Sequence, residues 1–164
     1  DHVVDIRKAT VEDAGAIAAV INGVVDEGGL TSLRRFTEGE EREFIASLDE
    51  REAIFVAERE GQIVGFQGLS RFARWSDSMS HVGTVLTMVV PEHRGSGVGR
   101  ALAGRTLAFA RWHGYEKIST YVIADNEAAL AYYESLGFTM VGLWKDQVLL
   151  EDGYHDDVIV EKFL

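Results

Sequence analysis

At 164 residues, 46% of them hydrophobic and 26% charged, the chain carries enough apolar mass to fold as one soluble domain, and its composition is not that of a disordered tail or a disulfide-stapled scaffold. Sixteen basic against 27 acidic residues give a formal net charge of −11, which repels phosphate backbones and anionic headgroups and argues against nucleic acid or a membrane as partner. The absence of cysteine excludes thiolate-held metal clusters, and Asp1 to Lys8 show no basic-then-apolar leader, so a cytoplasmic home is expected.

Val4 and Ile6 alternate with polar neighbours as a short strand does, and Thr10 opens a helix with Ala14, Ile17, Ile21 and Val24 at helical spacing, ended by Gly28-Gly29. Thr37 stands three residues before Glu40 in capping-box spacing and starts a second helix through Phe44, Ile45 and Leu48. Ala53–Glu58 and Ile63–Leu69 read as paired strands joined at Glu60-Gly61-Gln62, and β-branched Val82–Val90 reads as a central strand closed by Pro91. A third helix runs from about Val98 to His113, with Gly114 at its C-terminal cap, and Lys117–Ile123 is a further strand. Asp125 or Asn126 caps a fourth helix carrying Ala129, Leu130, Tyr133 and Leu136 up to Gly137. Phe138–Leu164 forms two strands with a hairpin at Asp152-Gly153. Residues 1–164 therefore read as one α/β or α+β domain around a mixed sheet.

The chemistry concentrates between Thr87 and Leu102. A buried strand runs into a loop with three alternate glycines, Gly95, Gly97 and Gly99, and then into a helix, so that successive backbone N–H groups converge at a helix N-terminus as a phosphate cradle. The spacing is not G-x-G-x-x-G, and no acidic residue ends a following strand about twenty positions on, so a dinucleotide site is not indicated. Gly99 to Thr106 lacks the lysine of a P-loop and falls inside a helix. The plain alternative is a tight strand-to-helix turn that binds nothing.

Arg94, Gly97 and Gly99 stand where [QR]-x-x-G-x-[GA] requires them, and Asn126, Ala129, Tyr133, Gly137 and Phe138 fit N-x-x-A-x-x-x-Y-x-x-x-G-F. Together with the order of elements along nearly the whole chain, these residues resemble the GNAT superfamily of acetyl-CoA-dependent N-acetyltransferases. The ending Asp152-Gly153-Tyr154-His155-Asp156-Asp157-Val158 is similar to those of its phosphinothricin-type and ribosomal-protein-type members. The resemblance implies a mixed, mostly antiparallel twisted sheet of about seven strands flanked by about four helices.

It also implies that the backbone of Met88 and Val89 pairs with the pantetheine amides of acetyl-CoA, while Gly95, Ser96, Gly97, Val98, Gly99 and Arg100 surround the diphosphate and Arg94 gains a charge-assisted partner. Asn126 would contact the cofactor arm, although a helix cap is a sufficient reason for it. Tyr133 would hand a proton to the departing thiolate, although it also reads as a core aromatic beside Tyr132.

The general base is open. Relatives place a glutamate on the central strand, but between Met79 and Val90 this chain offers only His81, Thr84 and Thr87, of which His81 has the solution pKa for the task, about 6.5. Asp156 or a water relay stands as the alternative. His155-Asp156-Asp157 alternate across a strand and do not converge on a metal, so none is expected. Arg34, Arg35, Arg71 and Arg74 are candidates for holding a substrate carboxylate.

The expected activity is direct acetyl transfer to a primary amine, first of a small amino acid or analogue and second of a protein N-terminus. The rival is an acyl-CoA sensor without catalysis. Relatives of this type are often dimers, so a homodimer is one expected assembly.

Overall fold

The computed structural model describes residues 4–164; Asp1 to Val3, where the segment read for a leader begins, lie outside the described residues. In chain order the elements are β1 (Asp5–Lys8), α1 (Ala14–Glu27), α2 (Glu38–Ala46), β2 (Ala53–Arg59), β3 (Gln62–Arg71), β4 (Val82–Val89), α3 (Val98–Trp112), β5 (Lys117–Ile123), α4 (Glu127–Ser135), β6 (Thr139–Leu150) and β7 (Gly153–Phe163).

This is the succession read from the sequence, with shifts at two helix ends. The turn before α1 is 3-10 over Val11–Asp13, held because the Asp13 carboxylate accepts from Thr10 N at 2.8 Å and from both terminal nitrogens of Arg7 at 2.8 Å. Helix α2 keeps the Thr37–Glu40 capping box but stops at Ala46, where Ser47 Oγ turns back to donate to Phe44 O at 2.6 Å.

The strands form one sheet in the order β1-β2-β3-β4-β5-β7-β6, antiparallel throughout except for β4 and β5. Strand alternation divides its side chains between two covers. Ile54, Val56, Phe66 and Met88 meet Ile17, Val20, Ile21 and Val24 of α1 and Ile45 of α2. On the opposite face Phe55 and Val64 pack with Val98 and Leu102 of α3, and Ile118, Val122, Val158 and Val160 pack with Leu107 of α3 and Tyr133 of α4. Burial of these side chains, each contributing roughly 1.5–3 kcal/mol, fixes both helical layers to the sheet.

The parallel pair β4–β5 is registered at only two positions, Val82↔Lys117 and Gly83↔Ile118. A Cβ on Gly83 would lie 2.9 Å from the Leu69 side chain, 3.0 Å from that of Ile118 and 3.2 Å from that of Tyr115, so a larger residue would have to displace them. On its other edge β5 pairs with β7 from Lys117↔Phe163 to Ile123↔Asp157, while past Gly83 β4 has no ladder to β5. The first bridge across the gap is a side chain: Thr120 Oγ1 donates to Val85 O at 2.9 Å.

At the far side of the sheet, His155 lies between two carboxylates, with Nδ1 2.6 Å from Asp125 and Nε2 2.6 Å from Asp152. It ties the β5–α4 turn to the β6–β7 hairpin. Asp152 and then Asp125 hold the imidazole in its charged form, raising its pKa above the ordinary 6.5.

Two outcomes follow. Gly83→Ala is expected to lower stability by about 1–3 kcal/mol in urea denaturation through overpacking, whereas Gly68→Ala, whose new Cβ would meet only Ile54 at an ordinary 3.6 Å, is expected to be neutral or stabilising. Because the folded-state pKa of His155 is raised, its stabilising contribution is complete below about pH 6.5 and is lost as pH rises through the folded-state value. Melting temperature followed from pH 6 to 9 should therefore fall more for the wild type than for His155→Gln.

Candidate active site

The glycine loop ends at Gly97, which takes φ +89° as the N-cap of α3, with Gly95 at φ +71°; any Cβ at either residue would project into open space. The first amide with a helical acceptor is Ala101 N, 3.0 Å from Gly97 O, so the N–H groups of Val98, Gly99 and Arg100 have no acceptor within the helix. Among the described residues no side chain caps this end and no acidic residue stands in its first turn, while Arg100 does. A 15-residue helix with its positive end left open in this way fits a diphosphate, the group that the resemblance implies. Val98, 1% exposed, anchors the turn in the core.

Gly99 has a different task. Its Cβ would lie 2.8 Å from the ring of Tyr132, whose hydroxyl donates to Gly99 O at 2.7 Å. With that proton committed, Tyr132 accepts from Gln67 Nε2 at 3.1 Å, and the same nitrogen donates to Thr87 Oγ1 at 2.8 Å. Thr87 Oγ1 is in turn 3.0 Å from Tyr133 Oη. With Tyr132 alongside, three hydroxyls meet beside the β4–β5 divergence. Burial pushes the Tyr133 phenol well above its ordinary value and Tyr132 in the same direction, so both stay neutral.

The backbone beside this cluster follows from register. Val90 N donates to Val64 O at 2.9 Å, and alternation then turns the peptide groups of Met88 toward Phe66 on β3 and those of Thr87 and Val89 toward the divergence. Of the two residues expected to pair with an amide chain, Val89 faces that way and Met88 does not; Thr87 takes its place.

Arg94 is engaged inside the protein. Its terminal nitrogens donate to both oxygens of Glu27 at 2.7 Å and its Nε to Val89 O at 2.9 Å, joining the loop to the end of α1 and to β4. Ser96 Oγ donates to His93 O at 2.6 Å and accepts from Arg59 at 3.2 Å, which shapes the loop. Asn126 caps α4, accepting from Ala129 N at 3.2 Å, and its amide donates to Leu30 O at 3.4 Å in the α1–α2 connection.

His81 is not brought to this cluster. It lies before β4 at the end where β4 and β5 still pair, its carbonyl accepting from Glu116 N at 2.9 Å and Lys117 N at 3.2 Å, about 20 Å of strand from Thr87. Asp156 accepts from the N–H of Asp146 at 2.7 Å, supporting that residue's positive φ of 51°. The four candidate arginines are likewise paired within the protein: Arg34 with Glu40, Arg35 with Asp26, Arg71 with Asp49 and Arg74 with the buried Glu52. Among the described residues no group of three His, Asp or Glu side chains could hold a metal ion.

On the other face of the sheet a cleft of about 500 Å³ opens between the α1–α2 connection and β5, β6 and β7, lined among others by Ser32, Tyr121, Trp144, Gln147 and Asp157. A second hollow, of about 470 Å³, lies against α1 and β3, and its charged groups are tied together, Arg7 pairing with both Asp13 and Glu58. Sequence reasoning passed over Gln67, Tyr132 and Asp157. A lone polar residue inside the apolar strand Val64–Leu69 was the available sign of Gln67.

An anion seat, an open strand edge and a neutral hydroxyl donor on one side of the sheet, with a cleft on the other, can hold a long phosphorylated carrier and present its end to a second molecule. Residues 18–138 match the Acetyltransferase (GNAT) family. The chain is 43% identical over 87 residues to mycothiol acetyltransferase of Thermobispora bispora, covering 52% of this chain and 30% of that protein. It is 32% identical over 142 residues to the uncharacterized N-acetyltransferase YjgM of Escherichia coli, covering 81% and 80% of the two. The crystal structure of ribosomal-protein-alanine N-acetyltransferase from Brucella melitensis superposes with a TM-score of 0.91 at 26% identity, covering 98% of this chain and 99% of that one. The chain spans about three tenths of the length of the mycothiol acetyltransferases it matches first. Acetyltransferases of the GNAT family use acetyl-CoA. With the family match spanning most of the chain and the fold shared from end to end, this protein belongs to the GNAT family of acetyltransferases.

Proposed function

We propose that the protein is an acetyl-CoA-dependent N-acetyltransferase that passes acetyl directly to a primary amine. The observation that carries this reading is the conjunction of open amides at Val98–Arg100 with the edge of β4 at Thr87 and Val89 that no strand covers, where Arg94 holds Val89 O, one leading to the other along β4. Acetyl-CoA, when bound, supplies the activated thioester.

The residues of this chain then have separable tasks. The N–H groups of Val98, Gly99 and Arg100, with the Arg100 guanidinium, hold the diphosphate, and Arg94 keeps the loop in place through Glu27 and Val89 O. The edge of Thr87 and Val89 meets the amides of the arm. The Tyr133 hydroxyl, held beside Thr87, serves the departing sulfur. An acceptor that arrives as ammonium first gives one proton to solvent; in the transfer a C–N bond then forms as the C–S bond breaks, the neutral nitrogen losing one further proton and the sulfur gaining one. Tyr133 assists as a neutral hydrogen-bond donor, because its raised pKa makes full ionisation costly. The chain has no cysteine, and no acyl-enzyme step is required.

The amine enters by the cleft on the opposite face, whose size suits a small molecule or the end of a peptide. Names among the relatives, mycothiol in one case and ribosomal-protein-alanine in another, show that the acceptor differs between family members.

Incubation with acetyl-CoA and an amine panel, followed as free thiol, is expected to show amine-dependent release with sequential kinetics. A thermal shift with coenzyme A but no thiol above background would instead identify a sensor, and no shift at all would remove the carrier site. Tyr133→Phe is expected to lower kcat by about 10–100-fold with unchanged coenzyme A affinity, as loss of one hydrogen bond to a developing charge predicts. Gly99→Ala, which pushes the Tyr132 ring, should weaken coenzyme A binding about tenfold in calorimetry.

A further inference from the structure

Asp157 is 3% exposed and lines the cleft, yet among the described residues no hydrogen bond or ion pair reaches its carboxylate. A carboxylate this little exposed and without a partner is relieved by taking up a proton or by a cation that joins it. Burial has raised its pKa accordingly. Its flanks are organic and electron-rich: Trp144 stands directly across from it on β6 and Ile123 on β5, and Tyr121 lies 5.7 Å from Trp144 between ring centroids. Aromatic faces beside a carboxylate favour an alkylammonium.

Several of the chain's cations are already paired. Arg34, Arg35, Arg71 and Arg74 each have a carboxylate, Lys117 pairs with Glu161, and His155 lies between Asp125 and Asp152. No lysine, arginine or histidine lines the cleft among the described residues.

Resting on the acetyl-transfer reading, we infer that Asp157 seats the ammonium of the acceptor, and that this acceptor is a primary amine with no carboxylate on the carbon next to nitrogen. A free α-amino acid would bring its own carboxylate within a few ångströms of Asp157 with nothing to neutralise it. An amine whose neighbouring group is neutral, an amide or a plain alkyl chain, avoids that repulsion. The inference moves the acceptor away from the free amino acid that the sequence put first. A small amine and a peptide N-terminus share the required chemistry.

Binding tests this without turnover. Calorimetry in the presence of coenzyme A would compare alaninamide with alanine, phenylalaninamide with phenylalanine, and a tripeptide amide beginning with each residue. Each amide is expected to bind about tenfold or more tighter than its free acid; tighter binding by the tripeptide marks a peptide end as the source, and equal binding marks a small amine. Asp157→Asn should cut amide affinity about tenfold while leaving the coenzyme A thermal shift intact, which also reports that the variant folds. Equal or tighter binding of the free acids, no binding of the amides at millimolar concentration, or unchanged affinity in Asp157→Asn would each overturn the assignment. The wild-type comparison stands even if the variant misfolds. Thiol release measured separately shows whether a failure lies in the acceptor assignment or in the transferase reading beneath it.

Discussion

The parting of β4 from β5 after Gly83 and Ile118 is the constraint on which the rest depends. An interior strand ordinarily spends both edges on neighbours, because a buried peptide group without a partner costs about 1–3 kcal/mol. Here β5 keeps β7 on its far edge while its near edge parts from β4, and β4 is left with a ladder on one side only. The gap is managed residue by residue. Thr120 lends a hydroxyl to Val85 O and Arg94 a guanidinium nitrogen to Val89 O, so what stays open between them is narrow and defined.

Function then divides between the two faces of the sheet. The α3 and α4 side carries main-chain amides and neutral hydroxyls; the α1 and α2 side carries a cleft with a lone carboxylate. A chain with a net charge of −11 still accommodates an anion, because the attraction comes from oriented N–H groups and a helix dipole that the charge sum does not register. Global acidity excludes extended polyanion surfaces, not a local seat built from backbone.

Much of this was legible in the sequence because it rests on local rules. Strand and helix order followed from hydrophobic periodicity and turn chemistry, and the glycine loop announced its conformation through positive-φ needs at Gly95 and Gly97. What was not legible depended on partners distant in the chain. Arg94 looked available to an anion because Glu27, its partner, is 67 positions away. His81 shared a strand with the site but lay at the wrong end, which only the β4–β5 register reveals. Tyr132 looked like filler beside Tyr133 until its ring met Gly99. Asp157 was one of three consecutive polar residues, and strand alternation could say that they face opposite ways but not which way the cleft lies.

Tyr132 has one further consequence. Its ring is set against the glycine turn and its hydroxyl belongs, through Gln67, to the cluster at Thr87, so the two ends of the proposed carrier site are joined by one hydrogen-bonded span. Such a span acts as a ruler. A carrier with a shortened arm could seat its phosphates or offer its carbonyl, but not both, and molecular length becomes a criterion of selection independent of any group that the side chains touch.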